Sequence, residues 1–521
     1  MTTAPKRTIV DAVRAVRRGE LTQLGAVRAV DPAEVESLLH ASMSAGAHAA
    51  EPQPVATGIG ASPGAAAGQV YFDVDAALDA ADRGETVLLA ALETTPADEP
   101  AMHIADGIIT ASGGLASHAA VVARGWGLPA VCGAEALAFD TAAEPRTMSI
   151  TTNDGVVVIT EGEVVTIDGA AGNIFRGDLG VSEAGIPDEL FELLGWADDV
   201  RGSAVGVRAN ADTAADAANA RELGAEGIGL CRTEHMFLGD RLPFVQRVLR
   251  ATEGSPEAAD ALTALVEQQR ADFVAVLEAM DGLPVIIRLL DAPLHEFLPE
   301  NEEHNPMLGV RGVRLAIRRP SIYRAQVEAV ALALDDRVAA GGAPIAEVMI
   351  PLVSIVGELQ MAVDLVRSEL LARGHGDVPV GTMIETPRAA LTADELALHA
   401  DFFSFGTNDL TQLTFGFSRD DVEAPVISRY LDDGVLAQSP FAELDASGVG
   451  ALVTMAVERG RTADPDLSVG ICGEHGGDPA SIRTLVAAGV DYVSCSPFRV
   501  PVARLAAAQI VAESSTAAPG A

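Results

Sequence analysis

The chain has 521 residues, 49% of them hydrophobic, and a formal net charge of −39. That length predicts two or three domains, and that charge argues against nucleic acid or an anionic membrane as a partner. Lys6 is the only lysine, which excludes a Walker A loop and a pyridoxal Schiff base. Phosphate chemistry here must therefore rest on arginines, backbone N–H groups and metal. Cys132, Cys231, Cys472 and Cys495 stand far apart with no paired spacing, against a disulfide framework or a structural zinc site. No apolar run approaches the roughly 18 residues of a membrane span, and residues 1–10 have no signal-peptide core. The expectation is a soluble, cytoplasmic protein.

Residues 1–50 read as a helical N-terminal segment of two short helices. Ile9, Val13 and Val16 share one face, and Asp31-Pro32-Ala33-Glu34 forms a capping start for the second. Residues 51–177 alternate short strands, at 86–90, 107–110, 156–160 and 164–168, with one helix beginning near Ser117. A linker is expected at 178–203. From 204 to 512, eight short apolar runs recur between longer segments, at 205–208, 227–230, 285–289, 348–352, 378–383, 402–405, 467–471 and 492–494. Continuous apolar runs of this kind are parallel strands covered on both faces, and eight of them fit a (β/α)₈ barrel of the α/β class. Residues 513–521 are expected to form a flexible tail.

Charged residues close these runs. Arg232, Arg288 with Asp291, Glu385, Thr407-Asn408-Asp409 and Cys472-Gly473-Glu474 all stand at or just past a run's end, which is the rim where barrel active sites are assembled. Glu385 and Asp409 suit one Mg²⁺ ion, which takes few carboxylates and completes its octahedron with water and substrate oxygens. Arg232, Arg288, Arg311 and Arg419 are candidate anion clamps. Cys472 has a thiol able to donate a proton as readily as to attack. Outside the barrel, Gly113-Gly114-Leu115-Ala116-Ser117-His118 precedes an Ala/Val helix. His118 thus falls in a first helical turn, where N–H groups and the dipole favour an anion such as a phosphoryl group on imidazole nitrogen.

At 113–125, 226–238, 288–299, 305–315, 381–391, 402–421, 470–480 and 491–509 the sequence resembles the pyruvate, phosphate dikinase family. The resemblance implies a TIM-type barrel for phosphoenolpyruvate (PEP) and pyruvate, preceded by a swivelling β/β/α phosphohistidine domain. It implies phosphoryl exchange between PEP and His118, with Cys472 as proton donor. Arg232, Arg288, Gly406, Thr407, Asn408 and Asp409 would lie around the substrate, and Glu385 and Asp409 on Mg²⁺. The family's ATP-grasp domain has no counterpart in the chain, so the expected activity is the PEP/pyruvate half-reaction, completed by a separate nucleotide-binding partner. A homodimer is expected by family analogy. Ala116 stands where the family often carries a regulatory Thr, and Val310 where it often carries a His. Enzyme I of the sugar phosphotransferase system and a non-catalytic PEP sensor are the alternative readings.

Overall fold

In the computed structural model, the described residues are 6–43, 52–95, 98–114, 117–152, 155–182, 185–237, 241–298, 303–422 and 426–517. They divide into two compact units, Met1–Trp196 with Ser418–Ser439, and Ala197–Phe417 with Pro440–Ala521. No helix among them is long and apolar enough to cross a membrane.

The first unit opens on three short helices, Ile9–Arg17, Gln23–Ala29 and Pro32–Leu38, one more than the pattern predicts. The additional one has seven residues and is capped by Thr22, too short for apolar periodicity to reveal. Beyond them an eight-stranded sheet runs in the order Ala56–Thr57, Asn173–Arg176, Val164–Asp168, Ala65–Tyr71, Val87–Ala91, Gly107–Thr110, Ala130–Cys132, Ile59–Ser62. Its four central neighbours, from Ala65–Tyr71 to Ala130–Cys132, are parallel. One face packs on the helices Val74–Asp82, Glu99–Ile104 and His118–Trp126 through Ala77, Met102, Ala119 and Ala123. The other packs on a three-stranded antiparallel sheet through Leu137, Met148, Ile150 and Ile159. These layers are the β/β/α arrangement. Sequence reading finds one of the three helices, His118–Trp126, which the glycine turn and the Ser117 cap announce.

The second unit holds a closed barrel of eight parallel strands. They are Gly206–Asn210, Ile228–Cys231, Pro284–Arg288, Ile345–Ile350, Val380–Ile384, Phe402–Phe405, Ser468–Ile471 and Tyr492–Cys495. Tyr492 pairs with Gly206 to close the ring. Every apolar run read from the sequence falls on one of them. The largest offset is at the fourth strand, which ends at Ile350. Leu352, expected inside it, has φ +58°, a left-handed backbone that no strand accommodates. The interior is filled by Leu230, Ile286, Met349, Met383, Phe402, Cys472 and Tyr492. The region expected to link the domains contains the helix Asp188–Arg201, and the last helix, Val500–Ala517, continues into the expected tail.

Phe403 is wholly buried in the sixth strand and lies against Gly460 of the helix Val449–Ala463. Phe403→Ala is expected to destabilise the barrel by about 3–5 kcal/mol, measured as a lower urea midpoint with an unchanged slope.

Candidate functional site

In the first unit, His118 is the first residue of the helix His118–Trp126, and Ser117 caps it by accepting from Ala120 N–H. The turn before it requires glycine at position 113. There φ is +99°, and a Cβ would lie 2.8 Å from that of Ser117. The His118 Nδ1 is 3.0 Å from Thr94 Oγ1, which lies just past the strand Val87–Ala91. Thr94 is buried and fixes which ring nitrogen faces the protein. Nothing in its local sequence, Glu93-Thr94-Thr95-Pro96, marks it out, since the pairing exists only because two strands lie side by side. Ala116 lies outside the described residues.

In the second unit the rim of the barrel gathers most of the predicted set. Arg288 ends the third strand and lies 3.1 Å from Glu234 Oε2 and 3.4 Å from Asp291 Oδ2. Burial alone would lower its pKa, but Glu234 and Asp291 outweigh that and hold the guanidinium firmly charged. Its Nε is buried without a hydrogen-bond partner among the described residues, leaving a donor for a ligand oxygen. Arg311 is nearly buried. It donates to Asp291 Oδ1 at 3.0 Å and Oδ2 at 2.7 Å, and to Asp409 Oδ1 at 3.2 Å. Arg311 is thus a bracket between two carboxylates. Arg232 is more open, with its side chain 36% exposed and only a loose contact to Asp212 at 3.7 Å, while Asp212 Oδ1 accepts from the Arg232 N–H at 2.6 Å.

Glu385 follows the fifth strand and is buried. Its Oε1 accepts from Leu352 N–H at 2.5 Å, so the strained left-handed residue aims its amide at the carboxylate. Oε2 is buried with no partner among the described residues. Burial pushes the Glu385 carboxyl well above the usual carboxylate range, with Asp409 and Asp291 adding to the effect against Arg311 and Arg288. Asp409 sits in the first turn of the helix Thr407–Phe415, whose N-cap is Gly406. Asn408 Oδ1 accepts from Glu474 N–H at 3.3 Å. Thr407 is wholly buried, with its hydroxyl 2.8 Å from His475 Nδ1. The contact leaves no room for a side chain at Gly473, where a Cβ would lie 1.9 Å from Thr407 Oγ1.

The donor set fits a hard divalent cation. Carboxylates outnumber arginines at this rim, and two buried carboxylate oxygens accept no hydrogen bond among the described residues, Glu234 Oε2, which is ion-paired with Arg288, and Glu385 Oε2. Among the described residues no group of three or more His, Cys, Asp or Glu side chains is placed to hold a metal. Two carboxylates, with water and substrate supplying the rest, are what Mg²⁺ accepts.

Cys472 follows the seventh strand, and its thiol donates to the Phe405 carbonyl at 3.7 Å. Burial pushes the thiol up to about 11, with Ser404 and Arg288 pulling the other way. It is therefore a neutral S–H at physiological pH. Arg419, grouped by sequence with the other arginines, begins the short helix Arg419–Val422 in the segment that belongs to the first unit. Nothing in the sequence alone singles out Glu234, Asp212, Asn210 or His475. Glu234 lies inside a matched segment, but its role appears only through Arg288.

The sequence matches the family of PEP-utilising enzymes, through the PEP-binding domain over residues 191–512 and the mobile domain over 84–172. The chain belongs to that family. Among its relatives, pyruvate, phosphate dikinase 1, chloroplastic, of Arabidopsis thaliana is 45% identical over 97% of this chain and 55% of its own length. Pyruvate, phosphate dikinase of Rhizobium meliloti (strain 1021) is 44% identical over 97% and 58%. That of Clostridium symbiosum is 43% identical over 95% and 59%. The chain thus spans a little over half the length of the curated relatives it matches.

Cys495 is also buried, and burial pushes its thiol up to about 12. The unfolded thiol titrates near 8.5, so the folded chain binds this proton more tightly. Stability is then fully present below about pH 8.5 and falls above it by roughly 1.4 kcal/mol per pH unit for the group. The urea midpoint is expected to drop between pH 8 and pH 10.5, and to drop less in Cys495→Ala.

Proposed function

We propose that this chain is a dikinase-type phosphotransferase that exchanges a phosphoryl group between PEP and His118. The observation that carries the reading is the barrel rim, where Arg288 keeps a buried donor, Glu385 keeps a buried unpaired oxygen, and Cys472 holds a neutral thiol. A substrate that is both anionic and protonatable at carbon uses all three.

In the direction of pyruvate formation, Arg232 and Arg288 bind the phosphate and carboxylate of PEP. The His118 ring nitrogen remote from Thr94 attacks phosphorus in line. The P–N bond forms as the bond from phosphorus to the enol oxygen breaks, and the enol oxygen leaves with the electron pair. Arg288 bears part of the charge on the leaving enolate. Cys472 then delivers its proton to the enolate methylene, giving pyruvate and a thiolate that recovers a proton from solvent. In reverse the thiolate removes that methyl proton. Glu385 and Asp409 would hold Mg²⁺, which when bound supplies positive charge to the phosphate and enolate oxygens. Arg311 holds Asp409 in place, and Leu352 N–H holds Glu385.

This chain carries the PEP/pyruvate half-reaction, and the nucleotide side falls to a separate ATP-binding element that charges or discharges His118. The support is the single lysine, Lys6, too few to furnish the usual cationic contacts to nucleotide phosphates within these residues.

Incubation with ³²P-labelled PEP and Mg²⁺, without nucleotide, is expected to place acid-labile label on the protein and none on His118→Ala. No label despite measured PEP binding would overturn the catalytic reading. Glu385→Gln keeps the acceptor for Leu352 N–H but removes the anionic ligand. Labelling by this variant should fall more than about a hundredfold, beyond the loss typical of outer-shell partners. EDTA should stop wild-type labelling, and added Mg²⁺ should restore it.

A further inference from the structure

We propose that Asn210 is a positioning residue for Cys472, setting the direction of the thiol without touching substrate; the proposal rests on the reading that Cys472 is the proton donor. Asn210 is the last residue of the first barrel strand. Its Nδ2 donates to the Cys472 carbonyl at 2.9 Å. Its Oδ1 accepts from Ser494 Oγ at 2.7 Å, and Ser494 is wholly buried in the eighth strand.

The chemistry requires a carboxamide. The Cys472 carbonyl can only accept, so Nδ2 must be the atom facing it, which leaves Oδ1 to accept the Ser494 hydroxyl proton. A carboxylate would set oxygen against oxygen, and a hydroxyl would be too short to reach both. The backbone has reason to need this support. Cys472 N–H donates to the Phe405 carbonyl at 3.1 Å, which fixes the peptide plane before the cysteine. The plane after it joins Cys472 to Gly473, which has no side chain to hold it and opens onto the short 3₁₀ turn Glu474–Gly477. Asn210 grips that plane by its carbonyl. With both planes fixed, the Cα–Cβ bond of Cys472 has one direction, and the Phe405 carbonyl, 3.7 Å from the thiol, holds the rotamer built on it.

Misaim of a proton donor slows the proton transfer and leaves ligand binding alone. Asn210→Leu is expected to lower the rate of ¹⁴C exchange between pyruvate and PEP by between about tenfold and a hundredfold. Its affinity for PEP with Mg²⁺, measured by calorimetry, should stay within about twofold of wild type. The slowing of exchange in D₂O should grow, because proton transfer becomes the limiting step. Asn210→Asp, which keeps the acceptor for Ser494 but cannot donate, should behave like Asn210→Leu. Should Asn210→Leu fail to fold, Ser494→Ala, which frees the amide to rotate, is judged by the same criteria. Unchanged exchange in these variants, or a loss of PEP affinity by the same factor as the rate, would overturn the proposal. A wild-type chain that neither binds PEP nor exchanges would instead overturn the functional reading on which it rests.

Discussion

The rest of the site depends on a set of charges buried together at the mouth of the barrel. Asp291 is fully buried between Arg288 and Arg311, and Arg311 reaches on to Asp409. Desolvating each such ion costs several kcal/mol, which only close and well-aligned partners offset. The exits of the third and sixth strands are therefore bound into one electrostatic body and cannot shift singly. With Glu234 and Glu385 the rim sets four carboxylates against those two arginines, and the deficit converges on Glu385. Its raised pKa and its unpaired oxygen are two expressions of one condition, a buried carboxylate whose negative charge the arginines among the described residues do not fully offset.

Cysteine shows the same principle in a different form. Cys231, Cys472 and Cys495 are all buried in the barrel, and burial raises every one of their pKa values. What separates Cys472 is position. It stands one residue past the seventh strand, within range of the charges of Arg288 and Glu385, and its backbone is held by the Phe405 carbonyl of the sixth strand and by Asn210 of the first. A thiol that remains protonated is a poor nucleophile.

In the first unit the arrangement is local and depends on backbone. A left-handed glycine at position 113 turns the chain, Ser117 caps the helix, and His118 enters the first turn, where unpaired N–H groups accumulate. Thr94 arrives from the end of the adjacent parallel strand, and orients the imidazole by one hydrogen bond. Few residues and short distances suffice, because a helix N-terminus already favours an anion.

Much of this was legible in the sequence. Eight apolar runs named the eight barrel strands, since a strand buried on both faces must be apolar throughout. Charged residues at the ends of those runs named the rim, because chain order alone fixes which end of a parallel strand faces it. Glu385, Asp409, Arg288 and Cys472 follow from that rule without coordinates. Tertiary structure alone decided how the side chains divide the work. Arg311 and Arg288 are indistinguishable as letters, but one is consumed by Asp291 and Asp409 while the other keeps a free donor. Asn210, Glu234 and Thr94 act on residues that lie far away in sequence or on a neighbouring strand. The physical reason is range: hydrophobic periodicity is written over a few successive residues, whereas a buried hydrogen bond or ion pair depends on which atoms the closed fold brings within about 3 Å.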